Sequence, residues 1–380
     1  MTDVVFTFDA ISWDAVKRRG MCFPEDRLAE ALIGSPEVRR VLISNPPRSL
    51  PVKLVKDRLR RRHPFPASDR ARLHEPLRLR RRDPAGIGGL ERAYRAYERS
   101  LRRAAADMGL ERPAVITAQP LLAGFADFDW AGSVTLYATD DWAVHPDFER
   151  WQGGFEEAYA RVSRKGVRVC AVTQAILDRI DPTAPSAVVP NGIDPDEWTE
   201  PGPAPGWFER LPAPRLLYVG SLQSRVDVHA VRRAGESLDE GSLVLVGPLL
   251  DPEHFFPLGG APHVHLQPGV ERHEVPALMT AADVGLVPHV KSPLTLAMSP
   301  LKLYEYLAAG CPVAATDLPP LRGVDDRVII SNGDFAAATS RALSLGRASE
   351  SERKRFISEN AWSRRTAQVL ELALDPRPSA

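Results

Sequence analysis

A chain of 380 residues is long for a single hydrophobic core, so two domains is the natural expectation. Hydrophobic residues make up 44% of it, and the formal net charge is +0, so no global field draws the chain to nucleic acid or to a membrane; any such attraction has to be local. Three cysteines, Cys22, Cys170 and Cys311, are odd in number, far apart and at no zinc or redox spacing, which reads as small reduced core residues and a cytoplasmic setting.

The N-terminus carries an acidic residue, Asp3, where a signal peptide needs a basic one, and Val4 to Phe8 is strand-length. No run approaches the roughly 20 apolar residues of a membrane span. Ile11 to Asp14 reads as the loop after this strand, Asp26 to Ile33 as a helix, and Arg39 to Ser44 as a second buried strand ended by Asn45-Pro46-Pro47. Strand, helix, strand at this spacing predicts a parallel, doubly wound α/β sheet.

Between Lys53 and Arg82, twelve Lys or Arg face three acids. A surface of this kind could meet anionic lipid at the inner face of a membrane, a phosphate-bearing acceptor, or nucleic acid. Prolines at 64, 66, 76 and 84 forbid a long amphipathic helix, and Leu77-Arg78-Leu79-Arg80 alternates as an edge strand with a charged outer face would. Phe65 is the one aromatic residue in the segment, which argues against nucleic acid.

Gly88 to Met108 has helical periodicity, and Ala114 to Thr117 and Ser133 to Tyr137 read as strands. The latter runs into Asp140 and Asp141, a position past a strand end where open parallel sheets place ligands. These carboxylates could bond a sugar hydroxyl or cap the next segment, with His145 near enough to join them. Arg168 to Val172 is a further strand, with Thr173 a cap for a helix through Ile180. Val188 to Asp194 ends in an Asn-Gly turn, and Pro201 to Gly206 has linker composition, giving domains of 1–195 and 196–360 with the remainder, 361–380, as a final segment.

The second half repeats the rhythm: strands at Arg215 to Val219, Leu243 to Val246, His263 to Leu266 and Val284 to Val287, with helices from about Val226 and over Val275 to Ala281. Gly220 and Ser221 end the first of these strands, and Gly220 would let a phosphate approach the backbone while Arg225 binds it. Pro268-Gly269-Val270 ends another, an ordinary turn or a place where Val270 offers backbone groups to a base. There is no Walker sequence, no complete glycine-x-glycine-x-x-glycine after a strand, and no histidine pair at metal spacing on a helix, so no metal or dinucleotide cofactor is expected.

Ser299 to Asp317 is a compact unit. Ser299 suits the N-cap, Pro300 the first helical position, Gly310 the left-handed closing residue, and Val313-Ala314-Ala315 a buried strand. The first-turn amides of Leu301, Lys302 and Leu303, with the helix dipole and the Lys302 charge, could hold a phosphate, and Glu305 one turn deeper could reach an attached ribose. A core helix with one solvated Lys and one solvated Glu fits the same spacing.

Four pieces, Pro190 to Asp194, Tyr218 to Ser221, Ala281 to Pro288 and Pro300 to Val313, resemble the bacterial glycosyltransferases of the GT-B fold, in particular glycosyltransferase family 4. The resemblance implies two Rossmann-like doubly wound domains facing a cleft, a UDP-, GDP- or dTDP-sugar bound mainly by the second, a glycan, glycolipid or small aglycone acceptor bound by the first, and retention of configuration. It also implies a final helix, Trp362 to Leu374, crossing back to the first domain. Under it Glu305 holds the ribose, and Leu301, Lys302 and Arg225 hold the diphosphate. This sequence departs from that pattern at Ala297, where the family carries a second glutamate, and at Ala118-Gln119-Pro120, where a histidine is expected, leaving Asp140, Asp141 and His145 as compensating catalytic candidates. A nucleotide-sugar epimerase and a non-catalytic nucleotide-sugar-binding subunit remain the alternatives.

Overall fold

The computed structural model describes residues 1–51 and 63–375. The chain forms two compact α/β units, Met1–Pro190 with Arg365–Ala380, and Asn191–Arg364.

In the first unit the strands are Thr2–Thr7 (β1), Val38–Ser44 (β2), Arg48–Ser49 (β3), Ala71–His74 (β4), Leu77–Arg78 (β5), Ala114–Thr117 (β6), Ser133–Ala138 (β7), Arg168–Ala171 (β8) and Ser186–Val188 (β9). Seven of them form one sheet in the order β4-β2-β1-β6-β7-β8-β9, every pair parallel. Runs such as Val4-Val5-Phe6 and Val41-Leu42-Ile43 are fully buried, as strands covered by helices on both faces require. The strand order reverses between β1 and β6, which makes the ends of those strands the place for a ligand.

Three expectations for this unit change. The loop expected at Ile11 to Asp14 turns into a helix at Trp13, Trp13–Arg18, because the Trp13 N–H donates to Asn45 Oδ1 at 2.8 Å and the ring packs edge-on against Phe65, contacts from distant chain. The edge strand expected over Leu77 to Arg80 stops at Arg78; β5 pairs with β3 in a separate two-stranded sheet, and β4 forms the edge of the main one. The basic segment divides: 53–62 lies outside the described residues, while Arg78, Arg81 and Arg82 line a cavity.

The last helix, Trp362–Ala373, ends on this unit. Arg168, buried in β8, donates to the carbonyls of Leu372 and Ala373 at 3.1 and 3.2 Å, and Ser133 Oγ donates to Ala373 at 3.0 Å, satisfying acceptors that a helix C-terminus leaves open.

The second unit contains Arg215–Val219 (β10), Ser242–Val246 (β11), Val264–Gln267 (β12), Val284–Val287 (β13), Val313–Thr316 (β14) and Val328–Ser331 (β15), ordered β12-β11-β10-β13-β14-β15 and all parallel. The doubly wound architecture expected from the sequence is thus present in each unit. The Pro201 to Gly206 stretch does not divide them. The division falls at Pro190, because Ile193 N–H and C=O pair with Asn360 and Trp362, and Trp198 and Phe208 insert into the second core with Ala204 packed against it.

Candidate functional site

In the second unit the order reverses between β10 and β13, whose pairing is confined to Leu216 with Val284 and Leu217 with Gly285. Where the two strands part, the Tyr306 hydroxyl inserts: it accepts from Val219 N–H at 2.9 Å and donates to Leu217 C=O at 2.8 Å. Gly285 permits this, since a Cβ there would stand 2.3 Å from the Tyr306 ring. Tyr306 belongs to the helix Leu301–Ala308, so its hydroxyl pins that helix across the end of β10.

The helix start differs from expectation by one position. Pro300, extended at φ −72° and ψ 114°, is the N-cap itself, and Ser299 lies outside the helix, where its carbonyl accepts from Asn191 Nδ2 at 2.6 Å. Leu303 N–H turns back to Pro300 C=O, while those of Leu301 and Lys302 precede any intrahelical acceptor. The far end closes as the glycine predicts: Gly310, at φ +79°, donates to Leu307 C=O and Cys311 to Tyr306 C=O, the paired bonds of a Schellman motif.

Lys302 sits one turn before Tyr306 and therefore reaches the β10 end. Its Nζ lies 3.7 Å from the centroid of the Tyr218 ring, and Gly220, at φ +143°, leaves the space beside it, since a Cβ at 220 would meet Nζ at 2.8 Å. The ammonium has no hydrogen bond or ion pair among the described residues. Burial, and then the neighbouring Arg225 charge, hold its pKa well below the ordinary lysine value, with Glu305 opposing them. Arg225 is half-buried on the loop after β10. His289, just past β13 and fully buried, has both ring nitrogens unpartnered and is kept neutral by burial and by Lys302 and Arg225. Two mutually repelling cations beside a neutral, unsatisfied imidazole form a site that an anion would relax. His289 was not singled out from sequence; its position after an apolar strand that ends in Pro288 was the available signal.

Glu305, 5% exposed, is ion-paired to Arg272, whose other nitrogen holds Glu197. The three residues come from the helix Leu301–Ala308, the turn after β12 and the helix Pro195–Thr199, and burial of Arg272 is offset by the two carboxylates. Arg272 also escaped the sequence reading, which stopped at Val270. Val270 packs half-buried against the core, and Ser221 C=O accepts from the Tyr218 hydroxyl at 3.2 Å. Ala297 ends the helix Pro293–Ala297 and is buried.

The remaining candidates lie in the first unit and have local partners. Asp141, 3% exposed, pairs with Arg179 at 3.3 Å and accepts from Ala143 N–H, and burial raises its pKa. Asp140 Oδ1 accepts from the Asp141 N–H at 2.9 Å, and His145 Nδ1 accepts from Asp147 N–H, capping the short helix Pro146–Trp151. Of the three, His145 caps a helix, while the two aspartates bond backbone amides of the turn that follows β7. None of them lines the cavity of about 440 Å³ that opens at the β1/β6 switch point. Asp9 after β1, Gln119 after β6 and Trp142 after β7 do.

Two Rossmann-type units of this topology, with the final helix ending on the first, belong to the GT-B class of fold. Residues 213–345, most of the second unit, match the family model described as glycosyl transferases group 1.

Among curated proteins, "Putative teichuronic acid biosynthesis glycosyltransferase TuaH" of Bacillus subtilis (strain 168) is 33% identical over 106 residues, 27% of this chain; the matched part spans about a quarter, 27%, of that relative's length. Solved structures of similar fold include sucrose-phosphate synthase from Thermosynechococcus elongatus (TM-score 0.63, 17% identity, 97% of this chain and 98% of that one). The trehalose-6-phosphate synthase OtsA (0.68, 11%, 98% and 99%) and Anabaena Alr3699/HepE in complex with UDP-glucose (0.57, 14%, 99% and 98%) are similar in the same sense.

Proposed function

We propose that this chain is a glycosyltransferase of the group 1 type that takes a sugar from a nucleoside-diphosphate donor, with the second unit gripping the donor. The observation that carries this reading is the Lys302 ammonium, held at the β10/β13 switch point beside Arg225 with no carboxylate paired to it. The group 1 match over 213–345 covers these same residues, and a solved neighbour of the same fold holds UDP-glucose.

In this reading Lys302, Arg225 and the amides of Leu301 and Lys302 hold the diphosphate, and Gly220 lets it approach the strand end. An acceptor hydroxyl oxygen bonds to the anomeric carbon, the bond from that carbon to the diphosphate oxygen breaks, and the hydroxyl proton passes to the departing diphosphate or to solvent. Lys302 and Arg225 stabilise the charge that grows on the leaving group, and preorganised charge of this kind is worth most where water is excluded. Retention of configuration and the family 4 assignment belong to this reading through the resemblance of Pro300 to Val313.

Glu305 supplies its second carboxylate oxygen to the ribose while Arg272 fixes the first. The donor is a UDP-, GDP- or dTDP-sugar and no metal takes part. A donor screen with mass detection of products tests the proposal. Transfer to a saccharide acceptor with release of nucleoside diphosphate supports it; interconversion of the donor alone, or binding without turnover, favours an epimerase or a binding subunit instead.

A further inference from the structure

The cavity of the first unit has a chemistry that the donor reading leaves unused. Four guanidinium groups line it, Arg48, Arg78, Arg81 and Arg82, against two carboxylates, Asp9 and Asp83. Neither carboxylate balances the excess. Asp83 is engaged by Arg78 and by the Tyr94 hydroxyl at 3.4 Å, and Asp9 Oδ1 accepts from Ile11 N–H at 3.4 Å while burial raises the pKa of its carboxyl. Arg81 and Arg82 are exposed, and among the described residues their guanidinium groups have no hydrogen bond or ion pair, while the Arg81 C=O accepts from Arg78 Nη2 at 3.3 Å. They follow β5, which β3 holds in place, so short paired strands rather than a loose tail carry them to the cavity.

Much of the remaining lining is aromatic. Trp142 and Phe148 have ring centroids 4.8 Å apart, Trp142 stacks on Phe155 at 6.0 Å, and Trp151 is fixed by its indole N–H donating to Pro84 C=O at 3.0 Å. The Trp142 indole N–H is different. Trp142 is 8% exposed and its Nε1 is buried with no partner, and on the arginine side Nε of Arg78 is also buried and unpartnered. Both donors are shut away behind the lining, so what the open cavity presents to a ligand is the excess of guanidinium charge and the aromatic faces. An exposed aromatic face suits the apolar face of a sugar ring, and the arginines suit a carboxylate or phosphate carried by it.

Resting on the glycosyltransferase reading above, we propose that this cavity binds the acceptor and that the acceptor is an anionic saccharide, its ring against Trp142 and its carboxylate or phosphate on Arg81, Arg82 and Arg78. About 440 Å³ lies within the usual size of a small-molecule site. A neutral sugar leaves the guanidinium side unmatched, and an anion without a ring leaves the aromatic side unmatched.

The test is calorimetric titration of the full chain with methyl glucuronide, methyl glucoside 6-phosphate and methyl glucoside, each with and without saturating UDP. At least one anionic probe is expected to bind tenfold or more tightly than the neutral one, with affinity falling as salt rises, and comparison of the two anionic probes separates carboxylate from phosphate. The double substitution Arg81→Met/Arg82→Met should remove that preference, and Trp142→Leu, which keeps apolar bulk and removes the aromatic face, should weaken the preferred probe severalfold. Both variants should bind UDP as the native chain does. Equal affinity for the three probes, no binding of any of them, or an anion preference that survives the double substitution overturns the acceptor proposal while UDP binding still stands; loss of UDP binding in the native chain is instead a failure of the donor reading.

Discussion

Lys302 Nζ stands 3.7 Å above the Tyr218 ring, so a cation of the helix Leu301–Ala308 rests on an aromatic of β10 where a carboxylate would normally be found. The ring's negative face supplies part of the missing partner, at about 0.5–2 kcal/mol. Gly220 keeps the space open. Gly220→Ala, with a Cβ 2.8 Å from Nζ and a positive φ unsuited to alanine, is expected to displace Lys302 and weaken UDP binding at least tenfold, at a stability cost of about 1–3 kcal/mol. Titration calorimetry and a melting curve measure both.

A diphosphate arriving at Lys302 favours the charged amine that burial and Arg225 now oppose. Binding should therefore take up protons when the free site is partly neutral, and affinity should fall as pH rises. The check is UDP titration at pH 8 in two buffers of different ionisation enthalpy, with Lys302→Met as comparator. A buffer-dependent enthalpy in the native chain that disappears in the variant is expected; identical enthalpies in both buffers would remove Lys302 from the proton balance.

Tyr306→Phe deletes the hydroxyl that bridges Leu217 and Val219 and leaves both backbone groups without it. A loss of about 1–3 kcal/mol in the denaturant unfolding of the second unit is expected. Because this hydroxyl also holds the helix that carries Lys302, UDP affinity should drop in parallel; unchanged affinity would show that the helix is positioned by its apolar contacts alone.

Arg272→Met leaves Glu305 and Glu197 near one another without their shared cation. The expected cost is about 3–5 kcal/mol, and the double variant Arg272→Met/Glu305→Gln should recover part of it, since the uncompensated buried charge is then gone. Additive losses in the double-mutant cycle would contradict the pairing.

In the first unit Glu25 is pushed up to about 8 by burial and by the charges of Asp9 and Asp26, with Arg19 opposing them. The folded state then retains a proton that the unfolded chain releases near the ordinary glutamate value of 4.5, so this contribution is fully present below about pH 4.5 and is lost as pH rises through 8. Glu25→Gln, which does not titrate, should gain stability over the native chain between pH 5 and pH 9. Melting temperatures that differ by the same amount at both values would refute the shift.

Much of this was legible in the chain. Periodicity located the strands that are apolar throughout, such as Val41 to Ile43 and Leu243 to Val246, because burial on both faces leaves no alternation to misread. The Gly310 closure followed from local rules alone. What local rules missed was set by distant contacts: Trp13 enters a helix because Asn45 caps it, and Pro201 to Gly206 has linker composition yet lies within the second unit because Ala204 and Phe208 reach its core. The same holds for the sites. Glu305 was visible, but its Arg272 partner comes from 33 residues away, and the cavity lined by Asp9, Gln119 and Trp142 exists only once β1, β6 and β7 stand side by side.

The central claim is that the second unit grips a nucleoside diphosphate through Lys302. Titration of the native chain and of Lys302→Met with UDP, GDP and dTDP tests it directly. The account predicts that at least one of the three binds the native chain and binds the variant tenfold or more weakly, with the melting temperature of the variant no lower than native. Binding of equal strength to both proteins, or no binding of any diphosphate to the native chain, would contradict it.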